Sequence, residues 1–268
     1  LDAAASAARL TSGNGNAETI PLRGQGGLPC AVPVAKQRVH FPDEIAGRAL
    51  SDQGWSGYVN VTQSDYLFYW YFEAKESPES APLILWSNGG PGCSAMEGAT
   101  TELGPLALFD IKQSPALATG QLSDNPYAWN EHANVLFVDQ PRYVGYSTGT
   151  GPMVTSSVDA GKDLVAFYKG WVELFPEMRQ RELILAAESY GGHYVPAWAD
   201  AIMNHNDGAS AEADKIPLSG AVIGNGLVND YTYYCILHVH VLVNKPCVHA
   251  TAHNNTQIGI CRVPTERR

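Results

Sequence analysis

The chain has 268 residues, 45% hydrophobic and 10% aromatic, with 17 Lys and Arg against 27 Asp and Glu, a formal net charge of -10. That is enough apolar chain to bury a core without disulfide or metal staples, and too much for a disordered protein. No Lys/Arg cluster interrupts the acidic balance, so a soluble protein without a nucleic-acid or polybasic membrane surface is expected.

Residues 1–38 are rich in Ala, Gly, Ser and Asn without sustained periodicity, and read as a poorly ordered lead-in. The chain opens Leu1-Asp2 with neither an initiator Met nor a signal-peptide pattern, which reads as a processed or partial chain. Residues 58–62 and 66–73 are β-rich runs around the polar Gln63-Ser64-Asp65, the pattern of a hairpin. Short apolar runs at 83–86, 135–138, 183–186 and 221–223 suit parallel strands buried on both faces. Before the third of these, Leu164, Phe167, Tyr168, Trp171, Leu174 and Phe175 recur at helical spacing, and Pro176 supplies a stop. A hairpin followed by alternating strands and helices predicts an α/β fold with a mainly parallel sheet flanked by helices. It would occupy residues 39–228, with the last recognisable strand ending near Ile223 and a divergent tail at 229–268.

The chemistry centres on Leu183-Ile184-Leu185-Ala186-Ala187-Glu188-Ser189-Tyr190-Gly191-Gly192-His193, where a buried strand runs through small residues around a Ser into a helix predicted at about 193–203. This is the setting of a nucleophile elbow, with Ala187 in place of the usual first glycine and Gly191 as the second. The helix start favours a developing oxyanion. A second segment, Trp86-Ser87-Asn88-Gly89-Gly90-Pro91-Gly92-Cys93-Ser94, puts a glycine-rich loop at the carboxyl end of another buried strand, where α/β sheets bind ligands. Glycines there expose backbone N–H groups, as an oxyanion hole requires.

These two segments resemble blocks of the serine carboxypeptidase family, of α/β-hydrolase fold. Further blocks follow the same order: Glu102-Leu103-Gly104-Pro105; Trp129-Asn130 with Asn134-Val135-Leu136-Phe137-Val138-Asp139-Gln140-Pro141; Glu188-Ser189-Tyr190-Gly191-Gly192-His193-Tyr194-Val195-Pro196; and Ile223-Gly224-Asn225-Gly226. The resemblance implies a serine-type carboxypeptidase that forms an acyl-enzyme on Ser189. It implies an oxyanion hole from the backbone N–H groups of Gly90 and Tyr190. The substrate's C-terminal carboxylate would be bound by Asn88 and Glu188, supported by Glu102 and Trp86. Carboxyl groups can receive a carboxylate only while protonated, so an acidic working pH is expected. Asp139 falls in a structural block and is given no catalytic role. Arg142-Tyr143 stands where family members usually have small residues.

In this family the triad Asp and His lie far downstream of the serine. Here Asp200, Asp207, Asp214 and Asp230, and His193, His205, His238, His240, His249 and His253, are available, and none sits in a matching motif. The expectation is a partial apparatus, completed by residues beyond this chain or by a second chain. An acyltransferase sharing the acyl-enzyme, or a non-catalytic peptide-binding protein, remains the alternative. In the tail, Cys235, Cys247 and Cys261 accompany the histidines, but the spacings fit no closed zinc pattern; disulfides, solvated histidines and an altered sequence end are the other readings. No metal or cofactor is assigned. The apolar run at 233–243 falls short of the roughly 20 residues that span a bilayer. Five cysteines and the sequons Asn60-Val61-Thr62 and Asn254-Asn255-Thr256 suit an oxidising, secretory setting, lysosomal/vacuolar or extracellular, with glycans and disulfides. By the resemblance, Cys93 would pair with a partner beyond the helical insertion that follows the serine in this family. The partner is a peptide C-terminus, not nucleic acid or membrane.

Overall fold

The computed structural model describes residues 54–109 and 118–229, together with strand backbone at 18–22, 30–34, 37–39, 44–45, 48–49, 248–251 and 257–262. Of the expected lead-in, only the antiparallel pair 18–22 and 30–34 and the strand beginning at Gln37 fall among the described residues.

The predicted hairpin is β1 (Gly54–Asn60) and β2 (Asp65–Phe72), paired antiparallel with Tyr58 opposite Phe68. The strict alternation of β2 sends Leu67, Tyr69 and Tyr71 into the core and leaves Tyr66, Phe68 and Trp70 half-buried on the other face. The apolar runs form β3 (Leu83–Ser87), β4 (Asn134–Val138), β5 (Leu183–Glu188) and β6 (Leu218–Gly224). All five residues of β4 are buried, as a strand covered on both faces requires.

Across the sheet the order is 248–251, 257–262, β6, β5, β3, β4, β2, β1, 37–39, with Thr148–Gly149 pairing on β2. The strands β4, β3, β5 and β6 run parallel, and every other pairing is antiparallel. The central sheet is parallel, as expected, and carries antiparallel wings. It does not stop near Ile223, because Gln257–Arg262 pairs antiparallel with β6 and Val248–Thr251 continues it. Within the tail, Gln257-Ile258-Gly259-Ile260 keeps a period of two.

Helix α1 (Ala95–Thr101) covers one face of the sheet, where Trp86, Phe72, Phe137 and Ala186 pack around Ala95 and Ala99. On the other face lie α2 (Ser157–Leu174) and α3 (Gly191–Gly208). The Ser156 hydroxyl caps α2 by accepting from the Asp159 N–H at 3.1 Å, and Pro176 follows its end. The predicted apolar stripe of α2 meets the inward residues of β2: Trp171 lies 5.2 Å from Tyr71 and 4.6 Å from Phe175, ring centroid to centroid. Fully burying such a side chain stabilises by roughly 1.5–3 kcal/mol. Asn134 is fully buried with every hydrogen-bonding site used: Oδ1 accepts from Tyr71 Oη and Ala74 N, and Nδ2 donates to the carbonyls of Pro78 and Ala81.

Candidate active site

Strand β5 delivers Glu188 and then turns at Ser189, whose φ of 53° is left-handed for a residue with a side chain. Three backbone hydrogen bonds hold that strained turn. The Ser189 N–H donates to Gly224 O at 2.8 Å, and Ser189 O accepts from Gly192 N at 3.0 Å and Leu227 N at 2.7 Å. The Gly224-Asn225-Gly226 segment after β6 is thus part of what fixes the elbow. Helix α3 starts at Gly191, two residues before the predicted start, and runs on to Gly208. A side chain at Gly191 would collide with the Cβ of Ala187. The departure from the usual glycine at 187 is therefore accommodated by the glycine four residues on, and Ser189 stands exposed at the tip.

Strand β3 lies next to β5, with Ser87 opposite Ala187, so the glycine-rich loop and the elbow leave the same edge of the sheet side by side. Contact is close enough that a Cβ on Gly89 would come within 2.6 Å of both Glu188 O and Tyr190 N. Gly90 has φ 105° and is exposed. Among the described residues, no backbone carbonyl takes up the N–H of Gly90 or of Tyr190. The loop is braced by Cys93 N donating to Gly89 O at 3.2 Å and by Gly92 N donating to Tyr194 Oη at 3.2 Å.

Asn88 connects the remaining predicted site residues. Its Oδ1 accepts from Trp86 Nε1 at 2.9 Å and Gly98 N at 3.1 Å, which fixes the amide so that Nδ2 faces two carboxyls. That Nδ2 donates to Glu102 Oε1 at 3.1 Å and to Glu188 Oε1 at 3.3 Å. Asn88 and Trp86 are buried, and Glu188 is half-buried. Glu102 is an exposed residue with its carboxyl end turned in to Asn88. Its pKa is pushed up to about 7, first by loss of water around the carboxyl and then by the charge of Glu188, against the lowering effect of the Asn88 hydrogen bond. Glu102 is also held from behind by Asn125, which the sequence reading did not single out. Asn125 Nδ2 donates to the carbonyls of Glu102 at 2.9 Å and Gly104 at 2.8 Å. The signal for it was the Asn125-Pro126 turn dipeptide.

The structure thus joins Trp86, Asn88, Glu102 and Glu188 in one network and sets Ser189, Tyr190 and Gly90 beside it. Among the described residues, none of the candidate bases is hydrogen-bonded to Ser189. The ring of His193 packs on Tyr190 at 4.7 Å, and His205 Nε2 is hydrogen-bonded to Asp214 O at 3.1 Å. Asp200 takes Asn204 Nδ2 at 3.0 Å. Asp230, His238, His240, His249 and His253 lie outside the residues whose side chains are described, as do Cys235, Cys247 and Cys261. Cys93 is exposed and without a disulfide partner among the described residues. Among those residues no group of three or more His, Cys, Asp or Glu is arranged to hold a metal, and no helix is long and apolar enough to cross a membrane.

A strand, a left-handed serine and a helix, beside a glycine loop at the carboxyl ends of adjacent parallel strands, define an α/β-hydrolase. A family model described as serine carboxypeptidase matches residues 44–264, and the chain belongs to that family. It is 41% identical over 181 residues to carboxypeptidase Y homolog A of Fusarium vanettenii, covering 67% of this chain and 31% of that one. To the homolog A of Ajellomyces dermatitidis it is 42% identical over 182 residues, 67% of this chain and 30% of the relative. The chain therefore spans about 31% of the length of the curated relatives it matches. Among solved structures it is similar to Kex1(delta)p, a prohormone-processing carboxypeptidase from Saccharomyces cerevisiae, with a TM-score of 0.58 and 32% identity over 65% of this chain and 38% of that one.

Proposed function

We propose that this chain carries the nucleophile and the carboxylate-recognition half of a serine carboxypeptidase that releases C-terminal residues from peptides. Ser189 Oγ attacks the last peptide carbonyl and the C-terminal residue leaves as the amine, giving an acyl-enzyme that water hydrolyses. The N–H groups of Gly90 and Tyr190 receive the oxyanion. Asn88, Glu188 and Glu102, with Trp86 orienting Asn88, bind the free carboxylate of the substrate. The observation that carries this reading is the carboxyl network next to the serine: Glu188 immediately precedes Ser189, and Asn88 ties it to Glu102, whose carboxyl retains its proton up to about pH 7. A simple esterase has no use for paired carboxyls there. The general base and its orienting acid come from residues beyond the described ones or from a second chain, since among the described residues no histidine is hydrogen-bonded to Ser189. A secretory destination, vacuolar, lysosomal or extracellular, suits the sequon at Asn60, which is exposed at the end of β1.

The test is fluorophosphonate labelling of the full-length protein together with product analysis. Labelling that disappears in Ser189→Ala, with release of a C-terminal residue from a peptide acid and little from its carboxamide, is expected. Equal turnover of acid and amide would overturn the carboxylate scheme, and labelling that persists in Ser189→Ala would overturn the nucleophile.

A further inference from the structure

We infer that Asp139 and Arg142 are positioning residues for the glycine-rich loop, acting through the segment 142–147 as a strap; the inference deepens the acyl-enzyme reading and rests on it. Asp139 follows β4 and is fully buried. Its Oδ1 accepts from Ser94 Oγ at 2.6 Å and Ala95 N at 2.8 Å, at the point where the glycine loop enters α1. Its Oδ2 accepts from Tyr146 N at 2.8 Å, and its carbonyl accepts from Ser147 Oγ at 2.6 Å. One carboxylate therefore joins the loop's far end to the strap. The strap also leans on the loop directly: a side chain on Gly92 would reach Val144 Cγ2 at 3.8 Å, and one on Gly145 would come within 2.6 Å of Ser94 Oγ.

Arg142 anchors the other side of the strap. Its guanidinium forks onto Asp163 of α2, with Nε at 2.6 Å from Oδ2 and Nη2 at 2.7 Å from Oδ1. Its Nη1 donates to Asp65 Oδ2 at 3.1 Å, at the start of β2. Both carboxylates are buried, and the Arg142 side chain is only 12% exposed. Tyr143 adds a second tie, its hydroxyl lying 2.6 Å from Gly151 O and 3.0 Å from Asp65 Oδ1, with the backbone held at a φ of 70°. A bidentate guanidinium desolvated between two carboxylates has one geometry, so the strap cannot slide without separating buried charges. The consequence is a fixed position for the loop that carries the Gly90 N–H. An oxyanion donor acts on the transition state and not on substrate binding, and its value depends on placement within a fraction of an ångström.

The test combines amide exchange over residues 86–96 with steady-state kinetics, in the full-length protein. Three variants perturb the strap in graded ways. Arg142→Lys keeps the charge but cannot fork, Tyr143→Phe removes one hydroxyl, and Asp139→Asn alters the joint itself. Val172→Ala, from the buried face of α2, lowers stability without touching the strap and serves as the control. Expected are faster exchange at Gly92, Cys93 and Ala95 in the strap variants, and a kcat lower by about tenfold or more in Arg142→Lys with KM within about twofold. Tyr143→Phe should fall in between, and Val172→Ala should do neither. Unchanged loop exchange in all three strap variants, or the same changes in Val172→Ala, overturns the inference. Faster exchange with unchanged kcat overturns the catalytic part. Activity that survives Ser189→Ala would instead remove the acyl-enzyme reading, while the exchange measurement still decides whether the strap holds the loop.

Discussion

Proton uptake on binding a carboxylate tests the Glu102 network most directly. With a pKa of about 7, Glu102 is about 1% ionised at pH 5 and about 90% ionised at pH 8. On the proposed scheme, a ligand carboxylate shares the Asn88, Glu102 and Glu188 site only when Glu102 holds its proton. Binding at pH 8 should therefore take up about 0.9 proton and bind about tenfold more weakly than at pH 5, where uptake is close to zero. Calorimetry of a blocked amino acid, repeated in two buffers of different ionisation enthalpy, reads the uptake. Its carboxamide is the control and should take up none. Glu102→Gln stays neutral at every pH and should abolish both the uptake and the affinity loss. No uptake at pH 8, or the same uptake in Glu102→Gln, would refute the protonated-carboxyl reasoning. The same shift bears on stability with a definite sign. The folded-state pKa is raised above the ordinary 4.5, so the contribution of Glu102 is fully present below about pH 4.5 and is lost as pH rises through about 7.

Gly191→Ala pushes a methyl group onto the Cβ of Ala187 and should cost about 1–3 kcal/mol in urea unfolding; in an Ala187→Gly background most of that loss should be recovered. Asn134→Ala leaves Tyr71 Oη, Ala74 N and two carbonyls without their buried partner, at a cost of about 2–4 kcal/mol read as a shifted denaturation midpoint with unchanged slope. Asn60 is exposed at the end of β1, so expression of the full-length protein through a eukaryotic secretory route should give an endoglycosidase-sensitive form whose mobility shift is smaller or absent in Asn60→Gln.

What could be read from the amino-acid sequence follows the range of the interactions involved. Strands β3 to β5 were legible because burial on both faces demands unbroken apolar runs, and α2 because one buried face demands its spacing; β6 shows the same kind of run although Ala221, Val222 and Ile223 are only partly buried. The start of α3 was misplaced by two residues because Gly191 and Gly192, poor helix formers, open it. Their presence answers to tertiary contacts: Gly191 faces Ala187, and Gly192 backs against the backbone of Leu227. The tail strands were missed because a single short alternating run carries little signal without its pairing partner. Arg142 was seen as a departure from the family pattern, yet its partners Asp163 and Asp65 lie 21 and 77 residues away, and nothing local announces them.

The carboxyl network poses the same problem in its strongest form, since Asn88 and Glu188 are 100 residues apart. They meet because β3 and β5 pair in parallel with Ser87 opposite Ala187, so the residues that follow each strand leave the sheet at one level. A shift of that register by one residue would exchange the faces of β5 and draw Glu188 away from Asn88. The buried sets on both strands, Leu83 and Leu85 on β3 with Leu183 and Leu185 on β5, are what forbid the slip. Core packing on one side of the sheet thus sets the reach of Asn88 to Glu188 at its edge, and a cavity made at Leu85 or Leu185 should loosen the site before it unfolds the chain.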